Sequence, residues 1–115
     1  MIHKKFRFHG HGSLGYLYKN GEVVRLKPFT FKYTKNKFRK NPRLAVVVSK
    51  KVLKTAVGRN RIRRRLYEHM RPLLDKINGN YDIAIIVTSP EMLNIESKEL
   101  TSLLKQAMVD AGIYK

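Results

Sequence analysis

A chain of 115 residues with 43% apolar content is long enough for one folded core and too apolar to be disordered throughout. Its 25 Lys/Arg against 8 Asp/Glu give a net charge of +17, and the absence of cysteine excludes a disulfide scaffold and a thiolate metal site. No apolar run approaches the roughly 18 residues of a membrane helix, and MIHKKFRFHGHG lacks the apolar stretch of a signal peptide, so a cytoplasmic protein is expected.

The charge is unevenly placed. Residues 1–40 hold eleven Lys/Arg and one Glu, residues 41–71 ten Lys/Arg and one Glu, and residues 72–115 four Lys against six Asp/Glu. A positive excess confined to the first 71 residues points to nucleic acid, because neutralising phosphates releases counterions. An acidic membrane is the weaker reading, since no segment joins a long apolar face to a basic one.

In chain order, residues 1–12 read as a flexible basic N-terminal segment of a single domain spanning 1–115. Residues 13–20 place Leu14, Leu17 and Tyr18 at helical spacing, with Ser13 as N-cap and Gly21 as the stop. Phe29, Phe31 and Tyr33 alternate with Thr30 and Lys32, predicting a half-buried strand over 28–34. A basic turn, 35–42, leads to an apolar β-branched strand over 44–49. Thr55 caps a helix to about residue 70, which Arg71-Pro72 interrupts, with a last turn towards Ile77. Asn78-Gly79-Asn80 is a turn, 81–88 a second buried strand, and residues 94–111 a helix ended by Gly112. This α-β-β-α-β-α order predicts an α/β (α+β) sandwich around a small mixed sheet, with the 44–49 and 81–88 strands paired in parallel across a β-α-β crossover.

The stretch GRNRIRRR, residues 58–65, sets five arginines around one isoleucine. At about 100° per residue, Ile62, Leu66 and Met70 form one stripe, with Ala56 and Tyr67 along its edge. Arg61, Arg64, Arg65 and Arg71 fall opposite, while Arg59 and Arg63 border the packed surface. The isoleucine is the packing anchor and the arginines are the face it presents. Guanidinium groups suit two-point contacts with phosphate oxygens. Asn60 suits a base edge, a ribose hydroxyl or a neighbouring turn.

Residues 49–71 resemble the signature of the protein subunit of bacterial ribonuclease P. That family shows a strand ending Ser-Lys-Lys, a short loop, and a helix opening Ala-Val-x-Arg-Asn-Arg followed by two basic residues. Here these are Ser49-Lys50-Lys51, Ala56 to Arg61, and Arg63-Arg64. Leu14, Leu17, Tyr18 and Gly21 match the family's early helix, Asn80-Tyr81-Asp82-Ile83 its Gly-Tyr-Asp strand, and residues 94–111 its last helix. The chain departs from the pattern in a loop one residue longer before Thr55, in Arg65 for an apolar residue, in Tyr67 for a basic one, and in Leu14 for an aromatic.

The resemblance implies a left-handed crossover, against the general right-handed rule. It also implies a ribonucleoprotein that removes the 5′ leader of precursor tRNA. The RNA subunit would carry the chemistry with magnesium, while the protein, holding no metal of its own, would bind that RNA and the leader. Lys50, Lys51, Arg59, Asn60, Arg61, Arg63, Arg64 and Arg65 would then contact RNA, and Leu14, Tyr18, Phe31 and Tyr33 would line a cleft for the single-stranded leader. For Phe29, Phe31 and Tyr33, one core face of a strand is an equal alternative.

The protein alone reads as catalytically empty, with the His9/His11 pair the minor alternative as acid and base or as metal ligands. Metal-assisted cleavage needs clustered carboxylates, whereas the first 71 residues offer Glu22 and Glu68 alone and the other acids are scattered. His9 and His11 are the one close histidine pair, in a glycine-rich stretch. Neither a membrane nor a small-molecule substrate is expected. The competing readings are a ribosomal or other structural RNA-binding protein, and, more weakly, a DNA-binding module with helix 55–70 in a major groove.

Overall fold

The alternation of Phe29, Phe31 and Tyr33 with Thr30, Lys32 and Thr34 gives one strand two unlike faces, and the architecture follows from how each is covered. A computed structural model describes residues 11–36 and 41–115, with side chains from residue 15 onward. Residues 1–10 of the expected N-terminal segment and 37–40 of the expected basic turn lie outside the described residues. The elements run α1 (His11–Asn20), β1 (Glu22–Arg25), β2 (Phe29–Lys35), β3 (Arg43–Val47), α2 (Ala56–Met70), a 3-10 segment (Arg71–Lys76), β4 (Tyr81–Val87), a 3-10 turn (Pro90–Leu93) and α3 (Ser97–Ala111).

The four strands form one mixed sheet in the order β1-β2-β4-β3. β1 pairs with β2 and β2 with β4 antiparallel, while β3 and β4 run parallel, with Ala45 opposite Ala84 and Val46 opposite Ile85. The parallel pair joined through α2 is as expected. β1 is an addition: a four-residue edge strand, mostly exposed, has no alternation to betray it. Pro90–Leu93 is a second addition, and α3 starts at Ser97 rather than at 94 because Asn94 and Ile95 still bond back to the Glu91 carbonyl.

One face carries the main core. Phe29, Phe31, Tyr33, Leu44, Val46, Ile83, Ile85 and Val87 join Ile62, Leu66, Tyr67 and Met70 of α2 and Leu100, Leu104, Ala107 and Met108 of α3 in a single buried cluster. Burying a large aliphatic side chain contributes about 1.5–3 kcal/mol, against about 0.5 kcal/mol or less for a typical surface substitution. α2 is therefore held by its apolar stripe, which leaves Arg61 and Arg64 on its outer side exposed. The other face takes α1, where Leu17 packs with Ala45 and Ala84, two residues small enough for a helix to approach. A Cβ at Gly21 would lie 2.5 Å from the Leu17 carbonyl oxygen and 3.1 Å from that of Tyr33, so glycine lets α1 end hard against β2.

Local chemistry sets the helix ends. The Thr55 hydroxyl accepts a hydrogen bond from the Gly58 amide at 3.2 Å and opens α2. Pro72, lacking an amide hydrogen, tightens the chain after Met70 into the 3-10 segment. Gly112, at φ 77°, closes α3 in a Schellman arrangement, with Ile113 bonding Met108 and Gly112 bonding Val109. Beside α1's face of the sheet, Arg43 grips Asp82 with two bonds of 2.9 and 2.8 Å, and Asn36 donates to the same carboxylate at 2.9 Å. That hydrogen bond is the main cause lifting the Arg43 guanidinium above its ordinary pKa.

Two substitutions test this packing. Ile62→Asp, which puts a carboxylate into the core, should abolish the cooperative thermal transition seen by circular dichroism. Asp82→Ala, which removes the carboxylate shared by Arg43 and Asn36, should cost roughly 3 kcal/mol in urea unfolding. A wild-type midpoint for either variant contradicts the assignment.

Candidate RNA interface

The basic surface is built on the loop between β3 and α2 and on the outer side of α2. After β3 the chain turns as the Val52 and Leu53 amides both bond the Ser49 carbonyl, at 3.1 and 3.2 Å. This turn leaves Lys50 and Lys51 exposed, with Lys54 exposed at its exit. The α2 helix that follows has no acid in its first turn, and its single carboxylate, Glu68, lies 3.4 Å from Arg71. Like charges three and four residues apart, at the positive end of a helix dipole, destabilise a helix by a few tenths of a kcal/mol per pair. An anion laid along the helix removes that penalty.

The five arginines of 59–65 do not form one uniform face. Arg61 and Arg64 are exposed, and among the described residues no hydrogen bond or ion pair holds them. Arg63 donates to the Asn60 side-chain oxygen at 2.9 Å, so Asn60 serves its neighbouring turn. Arg59 donates from one nitrogen to the Leu53 and Lys54 carbonyls, at 2.9 and 2.8 Å. Arg65, placed opposite the packed stripe by the wheel, is half-buried and donates to the Met92 carbonyl at 2.9 Å. That is a correction to its expected place on the free face: its length carries the guanidinium sideways to the C-terminal end of the 3-10 turn, where an unsatisfied carbonyl waits. Ala56, expected at the edge of the stripe, is exposed.

The second group of expected site residues divides in the same way. Phe31 is 0% and Tyr33 9% exposed, both in the main core, so neither offers a ring face to a base. Strand alternation then aims Thr30, Lys32 and Thr34 at the face that α1 covers. There Tyr18 is 41% exposed, with the Lys32 ammonium 5.2 Å from its ring centroid and bonded to its carbonyl at 3.2 Å. Burial of the ring raises the Tyr18 hydroxyl above its ordinary pKa. The Leu14 side chain lies outside the described residues. Lys32 is the site residue here that the motif pattern does not mark. Its place follows from strand alternation, because aromatics at 29, 31 and 33 on one face put 32 on the other.

Among the described residues no three His, Asp or Glu side chains come together where they could hold a metal ion, and no helix is long and apolar enough to cross a membrane.

The family model "Ribonuclease P" matches residues 2–112. The chain belongs to the ribonuclease P protein family. Among relatives, the ribonuclease P protein component of Roseiflexus sp. (strain RS-1) is 42% identical over 68 residues, which is 59% of this chain and 56% of that one. The component of Prochlorococcus marinus (strain MIT 9301) is 33% identical over 114 residues, covering 84% of this chain and 86% of the relative. Among solved structures, a mutant ribonuclease P protein of Staphylococcus aureus superposes with a TM-score of 0.84 at 25% identity, over 96% of this chain and 92% of that one. Membership makes the chain a protein subunit of a ribonucleoprotein endoribonuclease of tRNA processing.

The split among the arginines has a direct thermal signature. Arg65→Ala should remove about 1 kcal/mol and lower the melting temperature by roughly 4 °C, while Arg61→Ala and Arg64→Ala leave it within a degree or so of wild type. Equal shifts for all three would mean that the Arg65–Met92 bond does not form in solution.

Proposed function

We propose that the protein binds the RNA subunit of ribonuclease P through Lys50, Lys51, Arg61 and Arg64, and the single-stranded 5′ leader of precursor tRNA beside Tyr18 and Lys32. The RNA subunit carries the chemistry with magnesium, and the holoenzyme works in the cytoplasm. The observation that carries this reading is the pair Arg61 and Arg64: two guanidinium groups without a partner among the described residues, on a helix whose first turn has no acid to balance them. Such groups raise a protein's free energy until phosphates reach them. Tyr18 complements them. A half-exposed ring beside an ammonium suits a base and its phosphate together, and stacking of this kind tolerates any base.

The deciding experiment is cleavage of precursor tRNA at low magnesium by a bacterial ribonuclease P RNA, with and without the protein. The protein should raise cleavage when combined with the RNA, and should leave the substrate intact when supplied alone with magnesium. No effect on the RNA's activity would favour a structural RNA-binding role instead. Cleavage by protein alone that disappears in a His9→Ala/His11→Ala variant would make the protein the nuclease.

Three substitutions divide the surfaces. Arg61→Ala and Arg64→Ala should each reduce the slope of log affinity against log salt for the RNA subunit by roughly one, as for one lost phosphate contact. Tyr18→Ala should weaken holoenzyme binding of leader-bearing tRNA by about 1–3 kcal/mol and leave mature tRNA unaffected. Equal losses for both ligands would remove Tyr18 from the leader site.

A further inference from the structure

Arg59 is the first arginine of the Arg-Asn-Arg block, and its geometry is that of a brace. Three residues before Ile62, it stands almost one helical turn above that anchor, on the packed side of α2 rather than on its free face. The loop from Ser49 to Lys54 passes this point. One Arg59 nitrogen bonds the Leu53 carbonyl at 2.9 Å and the Lys54 carbonyl at 2.8 Å. The loop is pressed down here as well: a Cβ on Gly58 would lie 2.5 Å from the Leu53 Cδ2 and 2.7 Å from the Thr55 hydroxyl oxygen. Glycine at the third position of α2 therefore lets Leu53 close over the helix start, and Arg59 holds it there.

The lysines sit at the other end of the same turn. Lys50 and Lys51 are exposed at its tip, and the Val52 and Leu53 amides that follow fold back onto the Ser49 carbonyl. A loop that is not tied at its exit must be ordered when its lysines meet phosphate, and that ordering weakens binding. A loop tied beforehand avoids the loss. Arginine suits the task because one terminal nitrogen of its rigid guanidinium carries two N–H donors, one for each of the adjacent carbonyls, on a group that stays charged.

We infer that Arg59 is a positioning residue of the holoenzyme: it fixes the 49–54 turn so that Lys50 and Lys51 meet the phosphates of the RNA subunit, and its contribution to RNA affinity passes through those two lysines. This rests on the proposed binding of ribonuclease P RNA at this surface. It separates the motif by role, with Arg59 turned to the protein and Arg61 to the nucleic acid.

The test combines two measurements on the full chain. In free protein, Arg59→Ala should speed amide hydrogen exchange at Val52 and Leu53 about tenfold and leave Ile83 and Ile85 of β4 unchanged. For affinity, a mutant cycle compares wild type, Arg59→Ala, the Lys50→Ala/Lys51→Ala pair, and all three substitutions together, each titrated against ribonuclease P RNA. Losing Arg59 should weaken binding about tenfold in the wild-type background and less than about twofold once both lysines are gone. The same fold-loss in both backgrounds makes Arg59 a direct phosphate contact and overturns the inference, as does unchanged exchange at Val52 and Leu53. Wild-type protein that does not bind the RNA at all removes the functional reading beneath it, an outcome separate from additive losses in a protein that binds.

Discussion

The burial of Ile62, Leu66, Tyr67 and Met70 against the sheet is the contact on which the rest depends, because it fixes the rotation of α2 about its own axis. Once that rotation is set, each arginine of the 59–65 block has a fixed direction and a fixed set of neighbours. Arg61 and Arg64 are left in water, Arg59 meets the loop exit, and Arg65 reaches the 3-10 turn. The isoleucine inside a run of arginines is thus the element that gives the run its meaning. A basic segment without it has no preferred face, and a helix with an ordinary mixture of charges has no need of an anion.

The sheet divides the remaining work in the same way. Its aromatic face is consumed by the core, and its small-residue face, Ala45 and Ala84, admits α1 through Leu17. Because the second face is covered by one short helix rather than two long ones, polar and charged residues survive beside it. Lys32 and Tyr18 are there, and so is the Arg43–Asp82 pair that ties β3 to β4 while Asn36 adds the end of β2. Charge is kept on this side by pairing or by solvent, and apolar bulk is kept on the other.

Much of this was legible in the sequence. The 3.6-residue period marked α2 and α3, Thr55, Pro72 and Gly112 marked their limits, and the two β-branched runs marked the parallel pair. The exposed Arg61 and Arg64 followed from the wheel. What escaped has three physical causes. β1 is too short and too exposed to alternate, so it forms because β2 offers it an edge. The aromatics of β2 announced a face but not which helices would cover it, and only the packing shows that Phe31 and Tyr33 turn away from Tyr18. Arg65 bonds a carbonyl twenty-seven positions away, a partner that no local pattern contains.

Chemical modification of the arginines tests this division most directly. The free protein and its complex with ribonuclease P RNA would be treated with phenylglyoxal and the extent of reaction read residue by residue by mass spectrometry. Arg61 and Arg64 should react readily in the free protein and become protected in the complex. Arg59 and Arg65, already bonded to backbone carbonyls, should react slowly in both. Protection that appears at Arg65 on RNA binding, with Arg61 and Arg64 unchanged, would mean that α2 presents the opposite side to the RNA and that its rotation does not assign the arginines as described.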